Sequence, residues 1–185
     1  MSATAAAHPE RRVELWFMDE ARVGQKGRVR HRWWLKGRRP PGVCDRRYDW
    51  AWIFGTVRPA CGDAFALVLP DVSTEAMQTF LDAFAARLAP DVQAVVVLDQ
   101  AGWHGAKALH IPETVTLVPL PPLFARTRPS GAPLALPARR FLSLRLFPDD
   151  DAIVDTCCRP WNALAAETAR IASLCNDPWI KKLKS

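Results

Sequence analysis

Val13 to Glu20 (VELWFMDE) is an almost unbroken run of bulky apolar residues that stops on two acids. Such a run reads as a strand buried on both faces, delivering its terminal acids to the rim of a sheet. Strand-forming residues return from Arg28 to Lys36 and from Trp50 to Val57, flanking LKGRRPPGV, whose Gly and paired Pro mark a turn. Phe65 to Leu69 extends the pattern, and together these segments predict an antiparallel meander. The period then changes. Ser73 is placed as an N-cap with Glu75 in the first turn, and Met77, Phe80, Leu81, Phe84 and Leu88 share one face at helical spacing. That spacing predicts a helix of about four turns. Ala94 to Gln100 (AVVVLDQ) is a second buried-strand run and ends on Asp99; a short helix and a short strand over Val115 to Val118 follow. Near the end, Trp161, Leu164, Ala165, Thr168, Ile171 and Cys175 mark one C-terminal amphipathic helix.

Antiparallel strands, a helix, then a strand ending on an acid match the element order of the ribonuclease H-like fold. The expected class is α/β, a mixed central sheet with helices on both sides, irregular over 123–140. In that layout the first strand and the strand ending on Asp99 are neighbours, so Asp19 and Asp99 can meet. One domain is expected over 11–178, with a disordered start (1–10) and a basic tail (179–185).

Composition adds partners and compartment. The chain has 185 residues, 49% hydrophobic, with eight Trp, enough for one domain with a substantial core. A net charge of +6 favours a polyanionic partner, although proteins that touch no nucleic acid carry a similar excess. The basic residues are concentrated: Arg11 to Arg47 holds about half of all Lys and Arg, interleaved with Trp16, Trp33 and Trp34. This mixture suits phosphate and base-stacking contacts. Arg28, Arg30, Arg32, Lys36, Arg38 and Arg39 are the DNA-contact candidates, the alternative being a charged hairpin with solvated stems. Five cysteines without a CxxC pair argue against a disulfide framework or a zinc module. The start MSATAAAHPE has no signal-peptide core, and no stretch approaches a membrane span, so a reducing cytosol is the expected compartment.

Asp19 and Asp99 each close an apolar run, and carboxylates on rigid supports are what Mg2+ takes as ligands. An acid after a strand is also an ordinary loop residue or helix cap. The surrounding words decide between these. WFMDEARVGQKGRVRHRWWLKGRRP, VVVLDQAGWHGAKAL and IPETVTLVPLPP, in that order, resemble the catalytic domain of bacterial insertion-sequence transposases of the mariner-related superfamily. The resemblance runs along nearly the whole chain. It implies metal-dependent DNA strand cleavage and strand transfer. It makes Asp19 and Asp99 the first two acids of a catalytic triad that in intact relatives holds two Mg2+ or Mn2+ ions. It further implies DNA as partner (transposon ends and target), a possible homodimer, and a cytoplasmic, nucleoid-associated location in a bacterium. Complete members carry helix-turn-helix modules ahead of this domain, so a chain starting at the first catalytic strand reads as a truncated copy. Glu20, Gln100 and His104 are auxiliary candidates beside the two acids. His104 either reaches a phosphate or the metal shell, or is a neutral histidine hydrogen-bonded at a helix start. Trp103 reads as core packing rather than base stacking.

The text departs from the family after Pro122. Where the family reads Tyr-Ser-Pro-Glu-Leu-Asn-Pro-x-Glu, with the last Glu as third ligand, this chain reads LFARTRPSGAPLALPARR, and no acid occurs between Glu113 and Asp149. Allowed codons for Ala125 to Arg140, read with the first base dropped, give PELDPVERLWLYLRD, close to the missing block. The expectation is a compensated frameshift, the frame lost shortly after Pro122 and regained near Phe141, with the lost Glu codon straddling Gly131 and Ala132. Glu113, Asp149, Asp150, Asp151 and Glu167 are substitutes by type, but none matches the motif. The rival readings are a non-catalytic remnant that binds DNA or dimerises, and a ribonuclease H-like nuclease unrelated to transposition.

Overall fold

The computed structural model describes residues 2–24, 33, 35–38, 50–121 and 150–175. Helix α1 (Ser2–Ala7) lies where the composition suggests disorder. Strands β1 (Arg12–Gly24), β2 (Trp50–Arg58) and β3 (Asp63–Leu69) follow, then helix α2 (Thr74–Arg87), β4 (Val92–Leu98), a 3-10 turn over Gly102–Gly105, and β5 (Val115–Pro119). Helices α3 (Asp150–Ala165) and α4 (Thr168–Leu174) complete the described chain.

The sheet order is β3-β2-β1-β4-β5. β1 pairs antiparallel with β2, and β2 with β3, while β1–β4 and β4–β5 are parallel. The two faces of β1 and β4 feed two cores. Trp16, Met18, Val96 and Leu98 face α2 and meet Met77, Phe80, Leu81 and Phe84. Phe17 and Val97 face the opposite side and meet Ile153, Cys157 and Trp161 of α3 and Ile171 of α4. This is why β1 and β4 read as continuous apolar runs: a strand covered by helices on both sides has no solvent face to make polar. The α2 side is aromatic, with Trp16 edge-on to Phe84 at 5.1 Å and Phe80 stacked on Phe84 at 6.2 Å between ring centres. Ser73 caps α2 as its sequence signature predicts, its hydroxyl accepting the Ala76 N–H.

Two expectations change. β1 does not end on its acids but continues to Gly24, because β2 pairs with it that far, while its parallel ladder with β4 stops at Phe17. The C-terminal amphipathic stretch is two helices, the break falling at Ala166 and Glu167; both present their apolar residues to the same core, so the spacing does not register the break. α3 continues through Pro160. Most of the strand expected from Arg28 to Lys36 lies outside the described residues; the described part, Leu35 to Arg38, is an exposed turn closed by Arg38 N–H on the Leu35 carbonyl. Residues 123–140 and the tail also lie outside. Among the described residues, no helix is long and apolar enough to cross a membrane.

Candidate functional site

The register of β1 on β4 puts the two aspartates at the same edge of the sheet. Phe17 is level with Val97 at the last rung of the ladder; two residues further along each parallel chain stand Asp19 and Asp99. Beyond this rung β4 ends, so the acids occupy the rim where β1 loses its parallel neighbour. Asp99 closes a tight turn, its Oδ1 accepting the Ala101 N–H at 3.0 Å. The 3-10 turn then folds the chain back, with His104 N–H on the Ala101 carbonyl at 3.0 Å. Asp19 Oδ1 accepts the N–H of Glu20 at 3.0 Å.

Successive residues of a strand point to opposite faces, so Glu20 takes the α2 side, with Trp16 and Met18. There its carboxylate, 5% exposed, meets Nε2 of His104 at 2.5 Å and the indole N–H of Trp103 at 3.3 Å. The other ring nitrogen of His104, Nδ1, lies 3.0 Å from the Asp99 carbonyl oxygen and 3.0 Å from its Oδ1. Both nitrogens therefore lie beside oxygen atoms, an arrangement that favours the doubly protonated ring. Burial of the ring pulls its pKa down, but the hydrogen bond and charge of Glu20, together with Asp99, outweigh this and leave it raised. Glu20, Asp99 and His104 form a compact group whose ligand-type atoms all lie within 4.8 Å of one another.

Glu20 and His104 thus sit together although 84 positions apart in sequence. Gln100 turns away from the group; its amide donates to the Leu120 carbonyl at 3.0 Å and ties the ends of β4 and β5. Trp103 packs against the α2-side core, as its sequence context implies, and adds the unforeseen hydrogen bond to Glu20. Lys36 and Arg38 are exposed, while Arg28, Arg30, Arg32 and Arg39 lie outside the described residues. Of the substitute acids, Glu113 precedes β5 at the opposite end of the sheet, where its carbonyl accepts from Arg11. Glu167 is also remote, next to Thr168, whose carbonyl abuts Gly62 in the β2–β3 turn, and its carboxylate pairs with Arg170 at 2.8 Å. Asp151 is exposed in the first turn of α3, which Asp150 opens, and Asp149 lies outside the described residues.

Comparisons with known proteins bear on the family and the fold. An uncharacterized protein of Sinorhizobium fredii (y4pE/y4sA) is 39% identical over 130 residues, covering 70% of this chain and 96% of that protein. Among solved structures, the mariner Mos1 paired-end complex with Mg has a TM-score of 0.59 at 13% identity, covering 88% of this chain and 53% of the Mos1 chain. The complex with Mn gives 0.57 at 12%, covering 89% and 56%. This chain spans little more than half the length of those Mos1 chains, and the likeness establishes the ribonuclease H-like fold. The profile of the DDE superfamily endonucleases matches residues 14–122, more than half of the sequence, and the chain belongs to that family.

Proposed function

We propose that this chain is the catalytic domain of an insertion-sequence transposase, built for metal-dependent cleavage and joining of DNA strands, with Asp19 and Asp99 as ligands of Mg2+ or Mn2+. The observation that supports the reading is the parallel pairing of β1 with β4, which puts Asp19 and Asp99 each two residues past the last shared rung, at one edge of the sheet. The donor chemistry fits the metal: hard divalent cations take oxygen ligands, and both residues offer carboxylates on rigid elements, Asp99 with 30% of its side chain exposed. When bound, such cations activate the attacking oxygen and stabilise the leaving one. The protein's share is to hold the carboxylates at the rim and to bring DNA there, for which Lys36, Arg38 and the neighbouring Arg28, Arg30, Arg32 and Arg39 supply positive charge. Mos1 complexes with Mg and with Mn are among the structural neighbours.

In this copy the reading stops short of activity. The group of possible ligands found among the described residues, Glu20, Asp99 and His104, includes no acid from beyond β4 other than Asp99 itself, and the sequence has none between Glu113 and Asp149. The frameshift over 123–140 accounts for that gap, and the gene's nucleotides test it: a codon pattern giving no family-like block in another frame removes the explanation. The expected result in an Mg2+ or Mn2+ nicking assay on the element's end DNA is no cleavage. Cutting by the unmodified chain, lost in Asp99→Asn, would overturn the defect. The second reading, a non-catalytic remnant that binds DNA or dimerises with an intact transposase, gains support if calorimetry detects no Mg2+ or Mn2+ site.

A further inference from the structure

The ring of His104 lies between two carboxylates, one nitrogen toward each. A histidine that ligates a cation directs a bare nitrogen lone pair at it. Here Nε2 is engaged by Glu20, and Nδ1 by the carbonyl and carboxylate of Asp99. The side chains of His104 and Glu20 are 2% and 5% exposed, whereas that of Asp99 is 30% exposed. Only Asp99 of the three thus stands where a hydrated ion and a phosphate can approach. A buried carboxylate is tolerated when donors surround it, and Glu20 has two, the His104 ring and the Trp103 indole. Both come from the segment that follows Asp99, so Glu20 on β1 clamps the loop after β4 onto the neighbouring strand.

We propose that Glu20 and His104 are positioning residues, not metal ligands: Glu20 fixes the imidazole, and the imidazole fixes the carboxylate of Asp99 in the orientation in which it meets the cation. This rests on the reading of Asp99 as a ligand. Metal sites commonly use a carboxylate to orient a ligating histidine; here the order is reversed, and a carboxylate-held histidine orients a ligating aspartate. The loop after β4 has only the Asp99–Ala101 turn and a four-residue 3-10 segment of its own. Without the clamp, Asp99 is left on a short irregular loop and its affinity for the cation falls.

The test is an Mn2+ titration of the full chain followed by electron paramagnetic resonance, with electron spin-echo modulation to detect nitrogen bound to the metal. His104→Ala is expected to weaken binding about 10- to 100-fold, the usual loss when a group that orients a metal ligand is removed. His104→Asn, whose amide nitrogen can take the place of Nδ1 and still donate to Asp99, is expected to recover most of it. Glu20→Gln is expected to weaken binding, and its combination with His104→Ala to be no worse than His104→Ala alone, because both act through one contact. No imidazole nitrogen coupling is expected in the wild type. Such a coupling overturns the proposal by making His104 a ligand; so does His104→Asn binding as weakly as His104→Ala, or unchanged affinity in both Glu20→Gln and His104→Ala. Asp99→Asn separates the two levels: wild-type affinity in that variant removes Asp99 as a ligand and the positioning role with it, whereas lost affinity there with no effect at Glu20 or His104 removes only the positioning role.

Discussion

Gly62 gives the most direct test of how the sheet holds the α3–α4 layer. It ends the turn between β2 and β3 with φ +77, its N–H on the Arg58 carbonyl at 2.8 Å. A Cβ built there falls 1.8 Å from the Thr168 carbonyl oxygen and 2.9 Å from the Ala172 backbone nitrogen, both in α4. Ordinary contact begins at 3.4 Å, so Gly62→Ala forces turn and helix apart by roughly 1.5 Å, and both obstacles are backbone that no rotamer change can move. Two costs add: about 1–2 kcal/mol for placing an L-residue in the left-handed region, and about 1–3 kcal/mol for overpacking. Gly37 supplies the control. It has φ +81 but nothing within 4 Å of its Cβ position, so Gly37→Ala carries only the first cost. Against a domain stability of about 5–15 kcal/mol, Gly62→Ala is expected to lose about 3 kcal/mol, lowering Tm by roughly 6–12 °C in a domain of this size. Urea and thermal unfolding of both variants measure it. If Gly62→Ala costs no more than Gly37→Ala, α4 does not lie against the turn and the packing argument fails.

Other expectations concern the first helix of the core, the thiols and DNA. Ser73→Ala removes the hydroxyl that accepts the Ala76 N–H and should cost about 1 kcal/mol in urea unfolding; a loss below a few tenths would mean that solvent satisfies the cap equally well. Burial pushes the Cys157 thiol up to about 12. With iodoacetamide at mildly alkaline pH, exposed Cys61 should therefore be alkylated in the folded chain, and Cys157 only after unfolding, as peptide mass mapping will show. Because the folded chain holds that proton more tightly than the unfolded one, the linked stability is complete below the unfolded thiol value and falls as pH rises from there toward about 12. Lys36→Ala and Arg38→Ala, in an exposed turn, should weaken DNA binding and lower its salt dependence, by about one charge each; an unchanged salt slope would place the DNA elsewhere.

The sequence shows most clearly those features whose cause is local. Ser73 and Glu75 before an apolar face announce α2, and AVVVL announces β4, because capping and two-sided burial leave their mark on consecutive residues. The extent of β1 does not show in this way. Asp19 and Glu20 look like an end because the strand stops being apolar, yet the backbone continues to Gly24 on hydrogen bonds to β2, and a ladder on one side suffices to hold it. The break between α3 and α4 is hidden for a related reason, since both helices serve one core. At the site, the pairing of β1 with β4 makes the shared sheet edge of Asp19 and Asp99 foreseeable from topology. The contact of Glu20 with His104 depends instead on how a short 3-10 turn returns the chain, and residue types alone leave the histidine's role open.

That contact bears on how much metal chemistry the described site can support. Mg2+ commonly keeps several waters and is held by one or two carboxylates together with substrate phosphates. On the proposed reading, Asp19 and Asp99 would hold one cation in this way. In the positioning role proposed for it, Glu20 is no reserve ligand for a second, its carboxylate being engaged by His104 and Trp103 on the α2 side and nearly sealed from solvent. Glu113 and Glu167 stand at the far end of the sheet, and beyond the family match the other described acids are Asp150, Asp151 and Asp155 of α3, the last paired with Arg159. Binding and cleavage should consequently separate. Titration is expected to give one Mn2+ per chain, lost in Asp99→Asn, without strand cleavage at saturating metal, since the two-ion arrangement that clamps both the attacking and the leaving oxygen is then incomplete. A stoichiometry of two in the unmodified chain would show that a further carboxylate completes the site, and Asp151→Asn would then be the first substitution to examine.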